Sequence, residues 1–240
     1  MPEPSRRPEG TMRLLRFDRV QRTAHWANAV LFFILVATAL PLYFSSIERV
    51  VGRHVLIEEI HVWTGVAWAV PIIVSLVGPW GARMRRDVRR FNRWTRQEIR
   101  WLRSFGAERI EKDKFNPGQK LNAIFTGGAI VVMLGSGIVM KWFGYFPVSW
   151  RSGSTFVHEV LAFIVVAVVI GHIVMALTHW ESLRSMFRGW VSVPWARRNA
   201  PLWAREEITG ASPAERADDR PRAVTVSGVG GASPPSVPSA

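Results

Sequence analysis

The chain combines strong positive charge with a high apolar content over 240 residues. It carries 31 Lys and Arg against 18 Asp and Glu, for a net charge of +13, yet 48% of its residues are hydrophobic and its mean hydropathy is positive. A soluble domain this basic is seldom also this apolar, so we expect the apolar residues to be concentrated in membrane-spanning blocks. The absence of cysteine excludes disulfides, thiolate zinc sites, covalent haem attachment and protein-ligated iron–sulfur clusters.

Four stretches of 20 to 23 residues contain no Asp, Glu, Lys or Arg. A hydrocarbon layer of ~30 Å is crossed by about 20 helical residues, because a helix satisfies its own backbone hydrogen bonds there. We therefore predict an all-α fold, an integral membrane four-helix bundle occupying residues 24–207. The predicted spans are Ala24–Phe44, Ile60–Ala82, Leu121–Met140 and Val160–Trp180.

The basic residues are distributed unequally between the connections, which predicts the orientation of the bundle. Six precede the first span, 13 lie between the second and third spans and eight follow the fourth, whereas the other two connections hold two each. Cytoplasmic loops of membrane proteins are enriched in Lys and Arg, so both termini should be cytoplasmic. Because anionic lipid lies beside these loops, the charge requires no nucleic-acid partner.

Three further segments flank or connect the spans. Residues 1–23 should form a cytoplasmic N-terminal segment. In the inner loop, residues 83–118, aromatic residues recur at near-helical spacing among arginines, which predicts an amphipathic helix on the membrane surface; a solvated basic loop is the alternative. Residues 208–240 are rich in Pro, Ser, Gly and Ala, which predicts a disordered tail, to which we assign no role.

Five of the six histidines lie in or at the edges of the predicted spans, where ionisable groups are costly and usually partnered. His158 and His172 are 14 residues apart in the fourth span. They are therefore separated by about 21 Å of helical rise and only about 40° of rotation, and face one side of the helix at two depths. His61 enters the second span from the same outer side as His158, and His25 enters the first span from the inner side.

Two histidine pairs on one face of the bundle predict the ligands of two b-type haems. Imidazole suits iron, and two axial imidazoles leave no position open for oxygen or substrate, so such a centre transfers electrons. We pair His61 with His158 at an outer haem and His25 with His172 at an inner haem. The depths of His25 and His172 differ by roughly 10 Å, and His179 lies within ~20° of the same face, so His179 is a substitute ligand. Helix tilt or an early start of the first helix would remove the mismatch.

A haem-free anchor, whose imidazoles bond only within the bundle, is the competing interpretation. Four glycines in the third span suit a porphyrin, but ordinary helix packing also favours small residues. Arg19 and Arg22 are candidate partners for haem propionates or for lipid phosphate. Glu58, Glu59 and Glu159 are candidate acceptors for an imidazole or contacts for a partner, with solvated carboxylates as the default interpretation. His54, in the short outer loop, should be a surface residue.

Four motifs of the chain are similar to a known family. RTAHW, EEIHVWTGV, KFNPGQKLN and FVHEV resemble the cytochrome b, or gamma, subunit of membrane-bound respiratory formate dehydrogenases, over roughly residues 13 to 203. The resemblance implies a subunit with two haems b in a bacterial cytoplasmic membrane, which receives electrons from an iron–sulfur (beta) subunit and delivers them to menaquinone or ubiquinone. It implies His61 and His158 as ligands of the outer haem, and His25 and His172 as ligands of the inner haem.

The resemblance also implies a quinone site and a catalytic partner. In the family this site lies beside the Asn-x-Gly-Gln-Lys segment and an inner-haem ligand, which correspond to Asn116, Gly118, Gln119 and His172. Asn116 and Pro117 also fit a simple helix start, as cap and first residue, and the two roles are compatible. Formate oxidation itself would occur in a molybdenum or tungsten (alpha) subunit, since this chain has no motif for that chemistry.

Two other functions stay open at this point. Cytochromes b of membrane nickel–iron hydrogenases share much of the histidine pattern, although the Asn-Pro-Gly-Gln-Lys segment favours formate dehydrogenase. A stand-alone di-haem membrane oxidoreductase would need no partner subunit. The chain also departs from the family late in the first span, where a small Ser/Thr-Gly pair is replaced by Thr38 and Ala39. The electron donor, the quinone species and the oligomeric state are not fixed by the sequence.

Overall fold

The computed structural model describes residues 12–210. Four helical segments of this part of the chain are long and apolar enough to cross a membrane, which confirms the four predicted spans. In chain order the elements are β1 (Arg13–Leu15), α1 (Arg19–Tyr43), α2 (Ser45–Val51), α3 (His54–Trp68), α4 (Val70–Val77), α5 (Ala82–Phe91), α6 (Arg96–Arg103), α7 (Pro117–Lys141), α8 (Val148–Thr178), α9 (Trp180–Arg188), β2 (Trp190–Ser192), α10 (Val193–Asn199) and α11 (Pro201–Thr209), with 3-10 turns at Pro79–Gly81 and Phe143–Tyr145. We call the end of the bundle that carries α5, α6 and α9 to α11 the basic end, and the end that carries α2 the far end.

All four spanning segments begin before the charge-free stretches that predicted them. At the start of α1 the Asp18 carboxylate accepts from the N–H of Gln21 at 2.8 Å, and the Gln21 side-chain oxygen accepts from the N–H of Asp18 at 3.0 Å. This capping box fixes the helix start. His25 therefore lies six residues inside α1, and His172 lies six residues before the end of α8. The two histidines thus have matching depths, and the early start of α1 removes the mismatch expected from the sequence.

The second span is divided into two helices at Ala69. Pro71 is the second residue of α4, and a proline has no N–H to bond the carbonyl group of the preceding turn. The helix is therefore interrupted there, and α4 ends at Val77, before the predicted limit at Ala82.

The spanning helices form two layers. α1 packs against α3 and α4, α7 packs against α8, and α3 joins the layers by packing against α7. A buried cluster joins the layers at the middle of the bundle; its members are Trp68, Ala69, Ala129, Ile130 and Val165, with Leu31, Phe32 and Leu35 of α1 packed against them. Val165 lies seven residues from both His158 and His172 along α8. This core is therefore halfway between the two depths at which those histidines occur.

The inner loop forms two short helices, so the single surface helix expected from its aromatic spacing was wrong. The Thr95 hydroxyl accepts from the N–H of Glu98 at 3.2 Å, and the Glu98 carboxylate accepts from the N–H of Thr95 at 2.9 Å. This capping box begins a new helix, α6, a few residues after α5 ends at Phe91.

The basic end also contains a two-stranded antiparallel sheet, which the all-α prediction did not include. β1 and β2 pair Arg13 with Ser192 and Leu15 with Trp190. Strands of three residues are too short to show an alternating pattern, and these two come from opposite ends of the sequence. A second buried cluster lies beside the sheet and contains Val191, Ala196, Ala200, Trp203 and Ala204.

The two predicted terminal segments lie partly outside the described residues. This applies to residues 1–11 of the N-terminal segment and to residues 211–240 of the predicted tail. α11 ends at Thr209, just past the predicted start of that tail at residue 208.

A buried carboxylate ties three segments of the basic end together. Lys114 donates to Asp87 at 2.6 Å, and their side chains are only 5% and 4% exposed. Gln21 of α1 donates to the same carboxylate at 2.5 Å. Burial raises the pKa of Asp87, although the nearby Lys114 opposes the rise. α1, α5 and the segment before α7 therefore meet at one ion pair.

Two further ion pairs lie inside the basic end. Lys120, in the first turn of α7, donates to Glu98 at 2.5 Å. Arg90 donates to Asp113 at 2.7 Å and to Glu206 at 2.6 Å. Several of the charges that predicted the orientation of the bundle are thus internal ties between helices.

Replacing Lys114 by Met should destabilise the basic end, because the Asp87 carboxylate would be left buried without its cation. Removing one partner of a buried ion pair costs about 3–5 kcal/mol. The loss of folding stability in the variant should grow as the pH rises above the usual aspartate pKa of about 3.9. Above that pH the folded state still holds a proton on Asp87 and the unfolded state does not, so folding becomes less favourable until the raised pKa is passed. Thermal unfolding of the full chain in detergent, at about pH 5 and about pH 8, measures both effects.

The matched control is the double variant with Lys114→Met and Asp87→Asn, which removes both charges of the Lys114–Asp87 pair. It should recover most of the stability lost at the higher pH. Equal stability of Lys114→Met and the wild type at both pH values would contradict this account of the ion pair.

Candidate functional site

The histidines of the spanning helices meet in two pairs. The rings of His25 in α1 and His172 in α8 have centres 6.4 Å apart and planes at 52° to each other. The rings of His61 in α3 and His158 in α8 have centres 6.4 Å apart and planes at 64°. We call these the basic-end pair and the far-end pair. Each pair joins one layer of the bundle to the other.

The other two histidines lie apart from the pairs. His54, at the start of α3, is exposed and forms an ion pair with Glu48 at 2.9 Å. Nδ1 of His179 lies 2.9 Å from the carbonyl oxygen of Met175, within the last turn of its own helix. Of the two candidates at the end of α8, it is therefore His172 whose ring faces the histidine of the first helix.

A hydroxyl group contacts each imidazole of the far-end pair. Oγ1 of Thr38 lies 2.9 Å from Nδ1 of His61, and Oγ of Ser136 lies 2.9 Å from Nδ1 of His158. Neither hydroxyl was identified as a site residue from the sequence. Thr38 lies 13 residues from His25, or ~20 Å of helical rise, so a depth measurement would have placed it level with the far-end pair. The contact of Ser136 could not be predicted in this way, because the spacing of residues along α8 does not determine how α7 is rotated about its own axis.

Within residues 12–210 the basic-end pair has no such partners. Nδ1 of His25 is buried without a hydrogen-bond partner, and His172 makes no hydrogen bond. Trp26 lies edge-on to His25 with ring centres 5.1 Å apart, and its indole N–H donates to the carbonyl group of Met186 at 3.1 Å. An unpaired polar atom in an apolar interior is costly, so the two pairs differ in how well their imidazole nitrogens are satisfied.

The separation of the rings fits a metal ion between them. Metal–imidazole bonds are about 2 Å long and the nitrogen lies about 1 Å from the ring centre, so imidazoles on opposite sides of one ion have centres about 6 Å apart. Within residues 12–210, no three His, Cys, Asp or Glu side chains form a metal-binding cluster. Each pair would therefore supply two ligands, too few for structural zinc but sufficient for haem iron, whose other four ligands are porphyrin nitrogens.

The bundle leaves space beside the pairs. α8 is not packed closely against α1 or α3. A Cβ atom added at Gly127, Gly128 or Gly135 of α7 would meet nothing within 4 Å. At Gly137 an added Cβ would lie 3.4 Å from Cε1 of His158, so this glycine lets the imidazole lie against α7. The glycines of α7 therefore leave parts of this helix without side-chain contacts, as the approach of a flat ligand such as a porphyrin requires.

Glu58 and Glu59, near the far-end pair, bind a lysine and not an imidazole. Lys141 donates to Glu58 at 3.1 Å and to Glu59 at 2.6 Å. The role of these carboxylates as acceptors for an imidazole was therefore wrong. The hydroxyl groups of Thr38 and Ser136 occupy that role.

A groove at the basic end lies beside His25. Its lining includes Arg19, Arg22 and Trp26 of α1 and Phe187 of α9. The Arg22 guanidinium donates to the carbonyl group of Phe187, which holds it across the groove. Both arginines stay candidates for binding an anionic group.

The Asn-Pro-Gly-Gln segment forms the capped start of α7. The side-chain oxygen of Asn116 accepts from the N–H of Gln119 at 2.8 Å, and that of Gln119 accepts from the N–H of Asn116 at 3.0 Å. A Cβ atom at Gly118 would lie 3.3 Å from the Asn116 side chain and 3.9 Å from the ring of Trp101. In the described chain, no hydrogen bond uses the side-chain NH₂ groups of Asn116 and Gln119 or links this segment to His172.

Four spanning helical segments and the family match together define a class, the integral membrane b-type cytochromes. The chain belongs to the prokaryotic cytochrome b561 family, whose model matches residues 16–189. The matched range contains all four spanning segments and both histidine pairs.

The chain is also similar to cytochrome b subunits of formate dehydrogenases. It is 27% identical over 204 residues to the formate dehydrogenase cytochrome b556 subunit of Haemophilus influenzae, which covers 82% of this chain and 84% of that protein. It is 24% identical over 207 residues to the cytochrome b556(fdo) subunit of Escherichia coli, with 80% and 92% covered. It is 25% identical over 206 residues to the nitrate-inducible subunit of the same organism, with 80% and 91% covered. These similarities confirm the resemblance found in the sequence motifs.

Proposed function

We propose that this chain is the di-haem cytochrome b subunit of a formate dehydrogenase, transferring electrons across the membrane to a quinone. The observation that carries the proposal is the presence of two imidazole pairs, each with ring centres 6.4 Å apart, at two depths along α8. His25 and His172 would hold one haem b, and His61 and His158 the other. A haem with two axial imidazoles exchanges electrons and has no free position for a substrate.

The orientation in this proposal follows from charge. The basic end carries most of the Lys and Arg, so it faces the cytoplasm of a bacterium, and the far end faces outside with both termini inside. Electrons enter at the far end from an iron–sulfur (beta) subunit, which receives them from a molybdenum or tungsten (alpha) subunit that oxidises formate. This chain has no cysteine ligands for iron–sulfur clusters, which is why the partner is needed.

The quinone, menaquinone or ubiquinone, is proposed to bind at the basic end, at Asn116, Gly118, Gln119 and His172. The capping box supports this choice, because it uses the side-chain oxygens of Asn116 and Gln119 and leaves their NH₂ groups able to donate to a quinone oxygen. Protons for quinone reduction would come from the cytoplasmic side.

Substitution of single histidines tests the two haem sites. His61→Ala should remove one of two haems and keep the other, since only the far-end pair loses a ligand. His25→Ala should remove the other haem. The measurement is the haem content per chain, from the pyridine haemochrome assay, together with the α band of the reduced-minus-oxidised spectrum.

His54→Ala and His179→Ala are the matched controls, because neither ring belongs to a pair. Both should keep two haems. Full haem content in His61→Ala and His25→Ala would contradict the ligand assignment, and a wild-type protein without an α band would leave only the haem-free anchor.

The source of the electrons is tested by asking which reductant, formate or hydrogen, reduces the haem and which partner subunits are needed. The relatives named as formate dehydrogenase subunits favour formate. We expect formate to reduce the α band only when the iron–sulfur and molybdenum or tungsten subunits are co-expressed with this chain. Reduction by hydrogen through a nickel–iron enzyme would favour the hydrogenase alternative, and reduction without any partner would favour a stand-alone oxidoreductase.

Variants that keep the capping box test the quinone site. Asn116→Asp and Gln119→Glu retain the oxygen that caps α7 but lose the NH₂ donor, so the fold should be preserved. Each should raise the KM for quinone roughly 2- to 10-fold, the effect of losing one hydrogen bond worth about 0.5–1.5 kcal/mol. Steady-state kinetics with a soluble quinone measures the change, and an unchanged KM in both variants would place the quinone elsewhere. The haem content of each variant serves as the control for folding.

A further inference from the structure

The hydroxyl of Thr38 fixes the protonation of the imidazole that it contacts. Its proton is directed at carbonyl oxygens of its own helix, 2.8 Å from that of Ile34 and 3.1 Å from that of Leu35. A hydroxyl has one proton, so only the lone pairs of Oγ1 face Nδ1 of His61. This arrangement favours the tautomer in which Nδ1 carries a proton and donates it to Thr38.

Ser136 repeats this arrangement on α7. Its hydroxyl lies 2.7 Å from the carbonyl oxygen of Val132 and 3.2 Å from that of Met133, so its lone pairs face Nδ1 of His158. This network assigns both rings to the tautomer that has its proton on Nδ1 and a lone pair on Nε2.

The basic-end pair lacks this support. Within the described part of the chain, Nδ1 of His25 is buried without an acceptor and His172 makes no hydrogen bond. The two pairs therefore share their ring separation but differ in the groups that contact the nitrogen turned away from a metal.

We propose that Thr38 and Ser136 are positioning residues that give the far-end haem a lower midpoint potential than the basic-end haem. This inference rests on the proposed function. An acceptor on the Nδ1 proton would make each imidazole a stronger electron donor through Nε2, which would favour the oxidised state of a haem iron held by this pair. The difference in potential favours electron transfer from the far end to the basic end, where the quinone is proposed to bind.

The order of the two potentials is the first test. A potentiometric titration of the α band, with the purified complex of the full chain and its partners, should resolve two components. His61→Ala should lose the component of lower potential, and His25→Ala the component of higher potential. Loss of the higher component in His61→Ala overturns the inference while leaving the proposed function intact. The absence of any α band overturns the proposed function itself.

The contribution of the hydroxyls is the second test. Thr38→Val and Ser136→Ala remove the acceptor with little change in volume, so each should raise the potential of the far-end component and leave the other unchanged. We expect a 2- to 10-fold change in the ratio of reduced to oxidised haem at a fixed potential, equivalent to about 18–59 mV for one electron.

Three variants are matched controls for this experiment. Thr38→Ser and Ser136→Thr keep the hydroxyl and should retain the wild-type potential. Thr155→Val removes a hydroxyl of α8 that donates to the carbonyl group of Arg151 at 3.1 Å, and it should leave both components unchanged. Unshifted far-end potentials in Thr38→Val and Ser136→Ala, with both haems retained, would show that the hydroxyls only pack against their helices. If those two variants lose haem, the inference is tested by which potential component is lost in His61→Ala and in His25→Ala.

Discussion

An imidazole inside a membrane needs a partner, and this requirement organises the whole bundle. α8 carries two such rings 14 residues apart, and α1 and α3 of the opposite layer each bring one ring to meet them. α8 also touches the other helices at Val165, between the two depths, so the layers meet at the middle of the bundle and again at each histidine pair. The spacing of histidines along one helix thus determines the depths at which the two layers meet.

The sequence predicted the features that depend on a fixed helical rise. The four spans and the two depths of His158 and His172 follow from counting residues, because a helix has the same rise everywhere. Helix starts were less predictable, since α1 begins inside a charged segment at a capping box centred on Asp18. The contacts of Thr38 and Ser136 were not predictable, because they depend on how neighbouring helices are rotated about their axes.

The basic end shows the limits of counting charges. The number of Lys and Arg in a loop predicts its side of the membrane, but not which of them face lipid. Arg90, Lys114 and Lys120 are internal and hold α5, α6, α7 and α11 together through carboxylates. Gln21 of α1 donates to the Asp87 carboxylate that pairs with Lys114, so the helix that carries His25 is tied to this network four residues before that histidine.

The buried cluster at the middle of the bundle has an electrical consequence. Trp68, Ala129, Ile130 and Val165 offer hydrocarbon and aromatic surface, and a water molecule needs two to four polar partners to reside in such a place. A proton travels along water or hydrogen-bonding groups, so this layer acts as a dielectric seal between the two ends. In the proposed function, electrons would pass this layer while their protons stay behind, so each transfer would add to the voltage across the membrane.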